Sequence, residues 1–376
     1  MKVLLITGKF GMGHYSAAST LAEEIQKTHP AAEVKIFDIY EGAFPGCCQM
    51  IYHVYSSLVE RGCLLYNLAY KSALKPPRAG LAMSGPEVQN PVHNHMLKAL
   101  ARQVESFRPD AVVATYSLCA KLMDEYKRAC GSRVPLVTCI TDVTSHNVWI
   151  NDTTDLYLVA AQSTKEELVR RGVEPEKIAV SGIPVGRAFA KSAGGGLPSG
   201  DKSPCRELLI MGGGLGLLPE KPEFYQKLNR LPGVHTTVVT AGNRKLYDKL
   251  QGKFANITVL GYSQEVDRLM ARADLLITKP GGITLFEAIH AELPLLLFRP
   301  FLAQEVKNGR FVDQEGLGMV LAKKPEQALG EIACLLDNPY LLEVIRENMR
   351  RVKAGLDQEA LPRFLSACVN REMKVA

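Results

Sequence analysis

Residues 273–290 read Ala273-Asp274-Leu275-Leu276-Ile277-Thr278-Lys279-Pro280-Gly281-Gly282-Ile283-Thr284-Leu285-Phe286-Glu287-Ala288-Ile289-His290, and a change of period inside them sets the fold class. An apolar run of strand length ends at Thr278, a proline and two glycines punctuate it, and apolar residues then recur at helical spacing. The stretch reads as a buried strand turning sharply into a helix. Gly281 and Gly282 let main-chain amides approach a ligand, the helix start offers unpaired N–H groups to an anion, and Lys279 adds a charge beside them. That is the composition of a phosphate site. Glu287, about one turn into the helix, is placed for its carboxylate to accept both hydroxyls of a ribose joined to that phosphate. A second reading needs no ligand, because Thr284-x-x-Glu287 also satisfies a capping box. The glycine pair and Lys279 are superfluous to a cap and required for an anion, which favours the first reading.

The same grammar recurs on both sides of this stretch. Apolar runs at Val3 to Thr7, Glu33 to Ile39, Ala111 to Thr115, Leu136 to Thr141 and Leu156 to Ala160 alternate with helical patterns, the first near Ser16 to His29. Alternation of this kind indicates a parallel sheet covered by helices on both faces. Ser192 to Ser203, with its Gly194-Gly195-Gly196 run, breaks the pattern and has linker composition. Strand-like runs resume at Glu207 to Met211, Thr236 to Thr240, Ile257 to Leu260, Leu275 to Thr278, Leu295 to Phe298 and Met319 to Leu321. The fold class expected is α/β, with two doubly wound, Rossmann-like domains facing a cleft, ligands sitting beyond the carboxyl ends of the strands. The expected borders are 1–190 for the first domain, 191–204 for the linker, 205–345 for the second domain, and 346–376 for a C-terminal helix returning to the first.

A chain of 376 residues is long enough for two cores. Its 47% hydrophobic and 22% charged residues are ordinary for a soluble globular protein, and no apolar run reaches membrane-spanning length. The N-terminal run Val3 to Ile6 lacks the pattern of a signal peptide, so a cytoplasmic protein is expected. Nine cysteines without a C-x-x-C pair suggest neither a disulfide framework nor a zinc ribbon. His93-x-His95 and Cys47-Cys48 lack a third ligand at metal spacing, so no metal is assigned. The net charge of +6 is mild, but it is unevenly placed. Between Arg61 and Pro86 there is no acidic residue, while Arg61, Lys71, Lys75 and Arg78 interleave with Tyr66 and several leucines. Such a stretch suits an anionic lipid surface or the acceptor that resides there, or else forms a solvated helix face. It is too short to favour nucleic acid.

After the first run comes Gly8-Lys9-Phe10-Gly11-Met12-Gly13-His14. Gly11 and Gly13 keep the turn narrow and leave His14 at the entry of a helix, where an imidazole can remove a proton from an alcohol near neutral pH. The strand-end rule places Asp142 near it. A dehydrogenase reading also exists, with Asp38 at a strand end as the ribose acid. The glycine spacing is not that of a dinucleotide fingerprint, and no tyrosine is followed four residues later by lysine. A capping role for His14 stays open.

With both loops in hand, the chain resembles the monogalactosyldiacylglycerol synthase and processive diacylglycerol glucosyltransferase family, GT-B glycosyltransferases related to the peptidoglycan N-acetylglucosaminyltransferase. The likeness rests on Gly11-x-Gly13-His14-x-x-Ala17-Ala18, Thr141-Asp142 with His146 and Trp149, and Ser181-Gly182-Ile183-Pro184-Val185. It continues through Met211-Gly212-Gly213-Gly214-Leu215-Gly216, Lys279-Pro280-Gly281-Gly282-x-Thr284-x-x-Glu287, and Pro300 with Gln304-Glu305-x-x-Asn308.

The resemblance implies transfer of a hexose from a UDP-sugar to a diacylglycerol-type lipid hydroxyl, with inversion and without a metal. The place implied is the membrane surface, on the inner face of the cell membrane. The base implied is His14, with Asp142 orienting it or acting in its stead. Donor contacts are expected from Gly13, from a helix start at Gly213, Gly214 and Gly216, and from Lys279, Gly281, Gly282 and Thr284 at the diphosphate. Glu287 is expected at the ribose, Gly242, Gly261 and Tyr262 near uracil, and Gln304 and Glu305 at the sugar hydroxyls. Two other functions share the two-domain plan: a UDP-N-acetylglucosamine 2-epimerase, and a nucleotide-sugar-binding regulator.

Overall fold

The computed structural model describes residues 1–10, 13–61, 91–192, 205–300, 303–322 and 324–373. Two compact units are present, Met1–Pro184 with Leu356–Ala376, and Val185–Gly355. Both are doubly wound, Rossmann-like α/β domains.

The first unit holds a parallel sheet of β1 (Lys2–Thr7), β2 (Glu33–Asp38), β3 (Ala111–Ala114), β4 (Leu136–Cys139), β5 (Leu156–Val159) and β6 (Ile178–Val180), in the order β2-β1-β3-β4-β5-β6. The central strands are apolar on both faces because helices cover both. Along β1, Leu4 and Ile6 pack with Leu100 and Met123 on one side. Val3 and Leu5 pack on the other with Leu21 and Ile25 of the helix Gly13–Thr28, and with Leu361 and Leu365 of the C-terminal helix Ala360–Met373.

The second unit repeats the plan with β7 (Arg206–Met211), β8 (Val234–Val239), β9 (Ile257–Leu260), β10 (Leu275–Thr278), β11 (Leu295–Leu297) and β12 (Gly318–Val320), in the order β12-β11-β10-β7-β8-β9. The helix Gly282–Ala291 follows β10 and buries Leu285, Phe286, Ala288 and Ile289.

Strand order reverses once in each sheet. In the first unit the chain leaves β1 for β2 on one side and β3 on the other. In the second unit β8 and β10 flank β7 in the same way. A crevice opens beyond the carboxyl ends of the strands at such a point, so the loops after β1 and β3, and those after β7 and β10, are where each unit can hold a ligand.

The borders differ from those read in the sequence. The helix Arg187–Ser192 packs on the helices Val266–Arg272 and Gly282–Ala291, so the first unit closes at Pro184 rather than at residue 190. The expected last helix is two: Pro339–Ala354 packs on Gly282–Ala291 and stays in the second unit, while Ala360–Met373 lies in the first. The first of them ends at Gly355.

Candidate active site

In the first unit the helix after β1 starts at Gly13, three residues before the expected start, so His14 stands in its first turn. Its Nδ1 lies 2.9 Å from the Thr115 carbonyl, just past β3, and 2.8 Å from Thr141 Oγ1, just past β4. A carbonyl oxygen only accepts, so Nδ1 carries the proton and Nε2 the lone pair. The ring stacks obliquely near Tyr116, with centroids 4.9 Å apart, and near the buried Trp149, at 6.3 Å. Burial pushes the imidazole down to about 4, against the Thr115 hydrogen bond, which raises it. His14 is therefore neutral at pH 7, with a basic nitrogen that meets no hydrogen-bond partner among the described residues.

Asp142, expected to orient this ring, follows Thr141 and is partly exposed. At Nδ1 the structure places the Thr115 carbonyl and the Thr141 hydroxyl. No role was read for either from the sequence, although both sit at strand ends, the signal that could have found them. Asp38 is committed to structure: it caps the helix Ile39–Ala43 by accepting from the Tyr40 and Glu41 amides and accepts from the Tyr52 hydroxyl at 2.7 Å. That removes the acid on which a dehydrogenase reading depended. His93 pairs with Glu125 at 2.6 Å and His95 with the Ala43 carbonyl at 2.7 Å, so each imidazole serves packing.

In the second unit four strand-end loops converge. Gly213–Gly216, expected to open a helix, is a hydrogen-bonded turn in which Gly216 N donates to Gly213 O at 2.9 Å. Positive φ at Gly213 (68°) and Gly216 (63°) takes the chain out of helical conformation. The Gly242 amide donates to Gly214 O at 3.3 Å, and the Ala241 amide to Gly261 O at 3.2 Å, joining the loops after β7, β8 and β9. Tyr262 beside them is 74% exposed. A Cβ on Gly213 would stand 2.9 Å from Lys279 Cε, so the loop after β7 meets the loop after β10 at the switch point.

The helix after β10 is capped by Gly281, with no side-chain cap bond. Thr284 and Glu287 lie inside the helix, so the capping-box reading is wrong: a Thr284 cap would need extended backbone where the chain is already helical. Glu287 is instead a carboxyl pushed up to about 7 by burial, with a Thr284 hydrogen bond opposing the rise. Lys279 Nζ donates to Oε1 of the buried Glu305 at 3.1 Å. Asn308 donates to the Pro280 carbonyl at 2.9 Å, so the helix Ala303–Gln314 is tied twice to the glycine loop. The side chains of Gln304 and Arg61, and Tyr66, Lys71, Lys75 and Arg78 entirely, lie outside the described residues.

Comparison with known proteins follows the same lines. The family described as monogalactosyldiacylglycerol (MGDG) synthase matches residues 14–185. The chain is 28% identical over 371 residues to the processive diacylglycerol beta-glucosyltransferase of Bacillus subtilis (strain 168), covering 96% of this chain and 93% of that one. The Bacillus licheniformis protein of the same name matches equally, at 28% over 371 residues. The chain thus resembles the diacylglycerol glucosyltransferases over nearly its whole length. Among solved structures, MurG of Acinetobacter baumannii superposes with a TM-score of 0.61 at 15% identity, covering 98% of this chain and 99% of that one. The UDP-GlcNAc 2-epimerase of Neisseria meningitidis, bound to UDP-GlcNAc, gives 0.58 at 14% identity with full coverage of both chains. At such identities these two likenesses speak for the shared two-domain fold alone.

Proposed function

We propose that this chain is an inverting glycosyltransferase that moves a hexose from a UDP-sugar to a diacylglycerol-type lipid at a membrane surface. The observation that carries the reading is His14: a neutral imidazole whose lone-pair nitrogen has no hydrogen-bond partner among the described residues, standing at the strand-end switch point of the first unit. Inversion needs one displacement. Nε2 removes the proton of the acceptor hydroxyl as that oxygen attacks the anomeric carbon, and UDP leaves from the opposite face. The new glycosidic bond forms as the bond to the β-phosphate oxygen breaks.

In this reading the second unit holds the donor. The amides at the start of Gly282–Ala291 and the Lys279 ammonium stabilise charge developing on the β-phosphate, with Lys279 turning part of its bonding from Glu305 to the phosphate. Glu287 accepts from the ribose, the Gly242 and Gly261 loops with Tyr262 flank uracil, and Gln304 and Glu305 meet the sugar hydroxyls. Such electrostatic stabilisation of the leaving group asks for no metal. The relatives named above, aligned along nearly the whole chain, support the lipid acceptor.

Membrane contact is part of the proposal. No helix among the described residues is long and apolar enough to cross a membrane. Met50 and Val54 on the helix Cys48–Arg61 and Val92 on the helix Pro91–Phe107 are more than half exposed, and these two helices border the basic stretch 61–86 on either side. Exposed apolar side chains on helices that flank, in sequence, a stretch with four positive charges suit the inner, anionic face of a cell membrane.

The experiment offers the purified protein each UDP-hexose with a diacylglycerol dispersion, and the lipids are read by mass spectrometry. Hexosyl-diacylglycerol and UDP are expected, and His14→Ala removes them while UDP binding persists. No glycolipid from any donor, or an epimerised sugar released without acceptor, overturns the proposal.

A further inference from the structure

We infer that Thr141 is a positioning residue for the base, holding His14 through its Nδ1–H in the place where a carboxylate would otherwise stand. This rests on the reading of His14 as the base. Two oxygens lie within hydrogen-bond distance of Nδ1, the Thr115 carbonyl at 2.9 Å and Thr141 Oγ1 at 2.8 Å. The carbonyl fixes the tautomer, since it can only accept. The Thr141 hydroxyl then shares the same N–H as a second acceptor and fixes the azimuth of the ring about that bond.

Neither oxygen is free to wander. Thr141 is 5% exposed and lies two residues past β4. The Thr115 hydroxyl is within reach of two oxygens, Thr7 Oγ1 at 2.8 Å and the His14 carbonyl at 2.9 Å, so the first turn of the helix and the ring are braced by the same residue. Thr7, Thr115 and Thr141 follow or end three neighbouring strands, β1, β3 and β4. Of the three, Thr141 offers its hydroxyl and Thr115 its carbonyl to the imidazole, and Thr7 meets the Thr115 hydroxyl behind them. A Cβ-branched side chain has few rotamers, which makes threonine a stiff support.

The consequence is chemical. Neutral oxygens orient the ring without adding a negative charge at Nδ1, so Nε2 is aimed but not made more basic by an ion pair. Thr141 touches no reacting atom; it acts through His14.

The test uses the full chain in three forms, Thr141→Val, Thr141→Ser and His14→Ala, with UDP-glucose and dioleoylglycerol in mixed micelles. Losing one neutral hydrogen bond corresponds to roughly a 3- to 10-fold change. Thr141→Val is expected to lower kcat by about that factor with the KM for UDP-glucose unchanged, and Thr141→Ser to restore it. Nitrogen-15 NMR of the histidine ring is expected to show Nδ1 protonated in the wild type, and a broadened or shifted His14 signal in the valine variant. Wild-type kcat and an unchanged ring signal in a folded Thr141→Val protein overturn the inference, and so does a serine variant no better than valine. If His14→Ala keeps its turnover, the reading of His14 as base fails instead, and the ring signal alone then reports whether Thr141 orients the side chain.

Discussion

His14 and Glu287 are two groups whose environments push their proton affinities in opposite senses, and each shift has a measurable sign. The imidazole is held at about 4 by burial, so a base at Nε2 stays unprotonated throughout the neutral range. With donor saturating, kcat is expected to run flat from about pH 5.5 upward and to fall only toward pH 4, whereas an ordinary histidine limb would appear near 6.5. The Glu287 carboxyl, raised to about 7, binds a proton more tightly in the folded chain than in the unfolded one. Its stability contribution is complete below about pH 4.5 and is lost as pH rises through 7. Glu287→Gln is therefore expected to raise the melting temperature by a few degrees at pH 8 and to leave it unchanged at pH 4. Ribose hydroxyls donating to this carboxylate favour its ionised form. UDP binding near pH 6.5 is then expected to release protons in calorimetry across buffers of different ionisation heat, and Glu287→Gln to weaken binding and abolish that release.

At the scale of the elements, the two glycine loops of the second unit separate building from binding. A Cβ on Gly216 would collide with the Thr240 carbonyl, and φ there is 63°, so Gly216→Ala must open the turn that joins β7 to β8. Destabilisation of the second unit is expected, seen as a lower urea midpoint. Gly281 has an ordinary φ of −87°, and its nearest neighbour to an added Cβ is Lys279 Nζ at 3.8 Å. Gly281→Ala is expected to fold with a stability within about 0.5 kcal/mol of wild type and to bind UDP several-fold more weakly, because a methyl group stands where the anion approaches.

The same loops show what a sequence can disclose. The change of period at Thr278 and Lys279 located β10 and the helix after it, because a buried parallel strand and an amphipathic helix leave different repeats. Gly213–Gly216 read as a helix start and is a turn, since glycine composition marks a bend without naming its type. Thr115 drew no attention, and Thr141 entered only as part of a motif without a role of its own, because threonine at a strand end looks like any β-branched residue. Their role appears only when three strands are set side by side, and strand order is a long-range property of the fold.

For the molecule as a whole, each unit has its own core and its own switch point, so disturbances can be addressed to one or the other. Leu361 and Leu365 of the C-terminal helix are buried against Val3, Leu5, Val137 and Leu158 of the first sheet. Their burial is worth roughly 2 kcal/mol each, and a leucine-to-alanine change in such a place costs about 2–5 kcal/mol once the cavity is included. The site proposed for UDP belongs to the other unit, where a ligand at about 100 times its Kd adds roughly 2.7 kcal/mol. Hydrogen exchange followed by mass spectrometry reads both at once. Leu365→Ala is expected to speed exchange in β1, β4 and β5, while saturating UDP slows it in the loops after β7 and β10 of wild type and variant alike. Protection by UDP that appears instead in the loop after β1 would assign the nucleotide to the first unit and reverse the division of labour proposed for the two.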